Sequence, residues 1–149
     1  MARIQLNRPD KFHYITQIRI NVSMLNYGDH LSNEQILSMA HEARLQFFHS
    51  LGASEFDFWG PGLIQTDAAV VYRSEGHYAD EIAVGLYITE LSRAGFDVQY
   101  TMRNVTTDKD LAIAKTGIVC FDYDEKKVRE LPEPFINLIS KIELLSFSS

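Results

Sequence analysis

The sequence predicts an α+β fold in which an antiparallel sheet of about five strands wraps one long central helix. Three features predict it. An alternating stretch near the N-terminus leads into a single long amphipathic segment. Almost everything after that segment alternates as strands do. The links between those later stretches are short, which favours antiparallel pairing.

The first strand is read at Ile18 to Met24, where Ile18, Ile20, Val22 and Met24 point one way and Arg19, Asn21 and Ser23 the other. A polar loop follows, NYGDHLSN from Asn26 to Asn33. Ser32 opens the helix: its hydroxyl can cap a backbone N–H, and Gln35 stands three residues on to complete a capping box. Ile36, Leu37, Ala40, Ala43, Phe47, Phe48 and Leu51 share one broad helical face, and Gly52 suits the residue after the helix, where positive φ is needed. A helix over 33–51 would be roughly 28 Å long. GLIQTDAAVVYRSE is the next strand, and Gly76 to Asp80 turns the chain. EIAVGLYITELSR puts Ile82, Val84, Leu86 and Ile88 on one face. Arg93-Ala94-Gly95 connects tightly to FDVQYTMRNV, with Phe96, Val98, Tyr100 and Met102 aligned. Thr107 to Asp110 turns into LAIAKTGIVCFDY, a long last strand. Pro132 and Pro134 frame a stop, and PFINLISKIELLSF reads as a short terminal helix. With no internal repeat, linker or low-complexity tract, one domain over residues 1–149 is expected.

The bulk numbers narrow the function classes. At 149 residues, 46% hydrophobic and 23% charged, the chain can bury a core without staples. Its net charge of −6, from 14 basic and 20 acidic residues, argues against broad nucleic-acid binding, which needs clustered positive charge. The lone Cys120 cannot form an internal disulfide and points to a reducing, cytoplasmic compartment. It sits in a strand and is expected to be packed rather than reactive. The N-terminus lacks the apolar run of a signal peptide, and no stretch reaches the about eighteen apolar residues of a membrane span. No G-x-S-x-G, P-loop or G-x-G-x-x-G is present. The histidines His13, His30, His41, His49 and His77 show no recognised metal spacing, so neither metal nor cofactor is expected.

The order of these elements, with several local strings, resembles the hotdog-fold acyl-CoA thioesterases, in particular the group around 4-hydroxybenzoyl-CoA thioesterase. The strings are the loop G-x-H-x-x-N (Gly28 to Asn33), HEARLQFFHSLG at the helix end, AAVVYRSEGHYADEI and AKTGIVCFDY. The resemblance covers about residues 14–134. It implies a helix wrapped by the sheet, and two subunits pairing their sheets into a homodimer or homotetramer. It implies an acyl-coenzyme A substrate held at the subunit interface near the helix N-terminus. Catalysis would use a carboxylate from the loop or the helix, with backbone N–H groups polarising the thioester carbonyl. The physics suits such a place: thioester hydrolysis builds charge on oxygen, and a helix N-terminus offers free donors and a positive dipole end.

One departure bears on mechanism. Many of these enzymes carry D-x-D before the loop, and the matching positions here are Met24 and Asn26. Asn26 can hold a water or bond a carbonyl but cannot take a proton. Asp29 is the nearest acid, read either as a replacement carboxylate or as an anion that favours the helix dipole. Glu42, opposite the apolar face, is the second candidate, or a solvated or partner-facing acid. His30 could donate to the carbonyl or order the loop, and Tyr27 beside Gly28 could line the acyl pocket or pack in the core. Arg44 lies within the apolar arc and is read as a structural bridge needing acceptors. For the coenzyme A end the candidates are Arg73, His77 and Tyr78, with Lys115 and Arg103 behind them. The first functional reading is thioester hydrolysis. Its rivals are a non-catalytic acyl-thioester-binding protein, which the residues at 24 and 26 favour, and a hotdog dehydratase, whose Asp and His pattern is not marked here.

Overall fold

The computed structural model describes residues 2–148. Six strands and two helices follow in the order β1 (Tyr14–Arg19), α1 (Gln35–Ser50), β2 (Gly62–Tyr72), β3 (Glu81–Thr89), β4 (Gly95–Asn104), β5 (Lys109–Asp122), β6 (Lys127–Val128) and α2 (Glu133–Lys141). The strands form one antiparallel sheet in the order β1-β3-β4-β5-β2, and the short β6 adds to the end of β5. β2 is therefore an edge strand, paired on one side only with β5.

α1 lies in the concave face of this sheet. Ile36, Met39, Ala40, Ala43, Phe47 and Phe48 are buried against Val84, Leu86, Val98, Tyr100, Met102 and Ala112 of the strands. The even positions of β3 and β4 point inward together because the strand period is two and the register pairs Ile82 with Asn104 through Ile88 with Val98. Leu37 and Leu51, assigned to the apolar face, are only half-buried, and Met39 fills the core in their place. α2 closes one end of the layer: Phe135 sits 4.8 Å, centroid to centroid, from both Phe58 and Phe96. Among the described residues no helix is long and apolar enough to cross a membrane.

Several sequence expectations need correction. The first strand runs earlier than Ile18 to Met24, and Val22–Met24 is instead a 3-10 turn. Alternation through 24 is cut short because the Asn21 side chain accepts the Ser23 N–H and folds the chain there. Ser32 does not cap α1. The N-cap is Glu34, Gln35 is the first helical residue, and no side chain among those described caps this end. Ser32 is buried, its N–H bonded to the Met24 carbonyl and its carbonyl to the Gln35 N–H, so its backbone is committed three residues before the helix starts. β2 and β3 also end sooner than expected. Arg73 and Ser74 turn their N–H groups to the Leu111 carbonyl, and Glu90 takes φ 53°. β6, two residues in a charged run, has too little pattern to be read from sequence.

Candidate functional site

The loop between β1 and α1 is held by a small set of bonds. The Asn26 carboxamide oxygen accepts the backbone N–H groups of Gly28 (2.8 Å) and His30 (3.2 Å). The Asn26 N–H donates to the His30 carbonyl at 2.8 Å, and Leu25 bridges Leu31. This is an Asx-type turn, the conformation that Asn and Asp side chains favour. Asp29 at its tip has φ 59°, a left-handed conformation that Asp tolerates better than most residues. The turn occupies the Asn26 carboxamide oxygen and delivers the chain to the N-terminus of α1, which no described side chain caps. There the Gln35 and Ile36 N–H groups reach back only to Ser32 and Asn33 carbonyls.

A second segment locks onto this loop. Leu31 N–H donates to the Gly76 carbonyl (2.8 Å), and His30 and His77 form an antiparallel bridge. Gly76 lets the segments approach closely: a Cβ would sit 2.7 Å from Ile20 Cδ1 and 3.2 Å from Leu31 Cβ, so the Ile20 side chain would have to shift. The bridge brings His30 Nδ1 to 3.1 Å from His77 Nε2 and 3.3 Å from a Glu75 carboxylate oxygen. Behind His77, the buried Asp80 accepts the His77 backbone N–H (3.0 Å) and the Asn104 amide (2.8 Å).

A third group stands on the flank of α1 that faces β2. Arg44 is buried and donates to Tyr100 Oη (2.9 Å), Glu55 Oε1 (3.2 Å from Nη2) and Gln65 Oε1 (3.3 Å). The bridging role read for it from sequence is what the contacts show. His41 Nε2 lies 3.1 and 3.2 Å from the two Glu55 oxygens. Burial pushes the Tyr100 hydroxyl pKa up, against the pull of Arg44, so it stays a neutral donor shared with Thr116. Ser38, His41, Arg44, Glu55 and Gln65 line a cleft of about 380 Å³ beside the free edge of β2.

The other sequence candidates scatter around these groups. Glu42 is exposed on α1, about 10 Å from its N-terminus at 1.5 Å per residue, and accepts a bond from Gln46 (2.7 Å). Tyr27 is fully exposed, which removes its reading as a core aromatic. Arg73 is exposed at the end of β2, and Tyr78 is exposed with Arg19 5.7 Å above its ring. Lys115 is spent on Asp67 and Asp97, and Arg103 on Asp108 and Asp110. Cys120 is fully buried, and burial pushes its thiol up to about 11, which leaves it inert. Sequence reading missed Glu55, Gln65, Glu75 and Asp80. The two acids beside His77 lay within a string already singled out. Glu55 follows the helix in an irregular stretch with no period to mark it.

Residues 20–139 match the model of the thioesterase-like superfamily. The chain belongs to that superfamily. No protein of curated function matches it in sequence. Among solved structures, it superposes on the 1,4-dihydroxy-2-naphthoyl-CoA thioesterase Slr0204 of Synechocystis with a TM-score of 0.79 and 24% identity, over 87% of this chain and 96% of that one. The DHNA-CoA thioesterase of Staphylococcus aureus gives 0.76 and 22%, over 86% and 89%. YbaW of Escherichia coli, a probable thioesterase, gives 0.72 and 18%, over 87% and 98%. These likenesses establish the hotdog fold that the sequence order implied. Within this thioesterase-like domain, the loop at 26–33, the end of α1 it feeds and the β2 edge are contiguous parts of one scaffold.

Proposed function

We propose that this protein hydrolyses an acyl-CoA thioester to the free acid and coenzyme A. The reacting end would be the 26–33 loop and the N-terminal half of α1, completed by a second copy paired along β2. The observation that carries this reading is the stapled loop leading into a helix end that no described side chain caps, in a thioesterase-like superfamily domain. The positive dipole end of α1 favours charge building on the thioester oxygen, and a backbone N–H that exchanges its loop carbonyl for that oxygen would be worth about 3 kcal/mol.

Asn26 serves here as loop brace and donor. Its oxygen is used by Gly28 and His30 N–H groups, so its amide hydrogens are what remain for a water or a carbonyl. The proton from the attacking water goes to a carboxylate. Asp29 and Glu42 are the candidates from sequence, and Glu55, paired with His41 in the cleft beside β2, joins them. Arg73, His77 and Tyr78, exposed at and beyond the end of β2, would serve the coenzyme A end. β2 supports the pairing of copies: it is eleven residues long, lies at the edge and exposes Gln65 to Ala68.

The test is thiol release from a panel of acyl-CoAs, aromatic acyl groups first because two structural relatives act on a naphthoyl-CoA. Wild type is run beside Asp29→Asn, Glu42→Gln and Glu55→Gln. Loss of turnover in one folded variant names the base. Saturable acyl-CoA binding without turnover on any substrate favours the second reading, a non-catalytic acyl-thioester-binding protein, which Met24 and Asn26 in the D-x-D positions support.

A further inference from the structure

We propose that His30, Glu75 and His77 form a three-ligand site for a divalent transition ion of the zinc class, with water in the remaining position. One ligand atom from each of the three residues lies within 4.8 Å of the other two. His30 Nδ1 is 3.1 Å from His77 Nε2 and 3.3 Å from the Glu75 carboxylate. Bonds of about 2.0–2.2 Å to a tetrahedral ion put neighbouring donors about 3.3–3.6 Å apart. The two separations from His30 Nδ1 meet that geometry or need only a few tenths of an ångström, and the His77–Glu75 pair lies within 4.8 Å. A hydrogen bond between two imidazoles would account for one of these contacts. It does not account for a carboxylate converging on the same nitrogen.

The scaffold fixes each imidazole independently. The His30–His77 bridge and the Leu31-to-Gly76 bond zip the two backbones together. The His30 ring lies against Gly28, where a Cβ would come within 3.2 Å of its Cδ2. His77 turns Nε2 toward His30 and keeps Nδ1 4.0 Å from Asp80 Oδ2, the buried carboxylate that already holds the His77 N–H and Asn104. At 4.0 Å Asp80 does not hydrogen-bond the ring; it holds the His77 backbone, and with it the position from which the imidazole projects. The donor chemistry selects the ion. Two imidazoles and one carboxylate suit zinc, cobalt or nickel, whereas calcium and magnesium prefer all-oxygen shells. Three protein ligands with one open position is the arrangement that leaves a metal-bound water.

The site shares His30 with the loop of the thioesterase reading but does not rest on that reading, because its test does not use activity. The full chain is stripped with a chelator, dialysed and titrated with zinc chloride by calorimetry. A parallel titration with cobalt chloride is followed by visible absorption. Expected are one equivalent per chain, the intense visible bands of a tetrahedral cobalt complex, and a rise in melting temperature with zinc. Glu75→Gln and His77→Ala should each weaken binding at least about tenfold. His49→Ala, at the far end of α1, should leave it unchanged. Glu75 is exposed, so its variant keeps the fold, and melting curves verify this. No saturable uptake, or uptake that survives both Glu75→Gln and His77→Ala, overturns the proposal.

Discussion

At the scale of single residues, buried polar groups define what this domain tolerates. Arg44 is the most consequential. Its guanidinium holds Tyr100, Glu55 and Gln65 together inside an otherwise apolar face. Arg44→Ala leaves a carboxylate facing a cavity, and should cost about 2–3 kcal/mol. A lowered urea midpoint with unchanged m is the expected readout. His13 sets a pH dependence. It is buried, stacks on Tyr87 and accepts the Ile88 N–H at Nδ1 (3.0 Å); burial holds its pKa below the ordinary 6.5. The unfolded chain therefore takes up a proton that the folded chain refuses. Stability is full above about pH 6.5 and declines as pH falls below it. His13→Asn, which keeps an acceptor without titrating there, should show a flatter melting temperature between neutral and mildly acidic pH. Asn26 gives the functional counterpart. Asn26→Asp preserves an oxygen for the Gly28 and His30 N–H groups and frees a second one as a base. It should raise acyl-CoA turnover by about tenfold or more. Steady-state thiol release checks this, and unchanged turnover would count against the loop as the reacting end.

At the scale of elements, close approach governs the sheet. β3 presents Gly85 directly beneath the Phe12 ring, where a Cβ would lie 2.6 Å from ring carbons. The ring cannot move cheaply, because Phe12 is fully buried and its backbone exchanges two bonds with Leu145. Gly85→Ala should therefore destabilise by about 1–3 kcal/mol through overpacking, measurable by thermal or urea unfolding. The loop before α1 behaves as an element too. Its conformation is fixed by an Asx turn, a bridge to the 76–77 segment and a buried Ser32, and it needs no cap on the helix it feeds.

At the scale of the whole molecule, the unpaired edge matters. The sheet ends on two edge strands, β1 of six residues and β2 of eleven, and β2 is the longer open edge. Ala68 is exposed there, so Ala68→Lys should leave the folded protomer intact while placing charge in a paired edge. Light scattering after size exclusion should show wild type as a dimer or larger and the variant shifted toward monomer. A monomeric wild type would remove the partner from the proposed site.

Much of this was legible in the sequence, for a physical reason. The helix and strands announce themselves because burying one face imposes a period of 3.6 or 2 on the apolar residues. Ile82 to Ile88 and Phe96 to Met102 align inward as that period requires. Arg44 could be singled out because a cation inside an apolar arc must find acceptors. Local hydrogen bonding was less legible. Ser32 fits a capping box, yet its backbone is taken by Met24 across the loop, a contact with no local signal. Strand order, and with it the open edge at β2, follows from tertiary pairing. So do the two convergences that matter most for chemistry. His30 meets Glu75 and His77 across more than forty positions of sequence, and Arg44 meets Glu55 and Tyr100. The sequence by itself determined the periodicity, and so the α+β class. Only the tertiary structure decided which polar side chains share a site, because side chains distant in sequence are brought within bonding distance by the packing of whole elements.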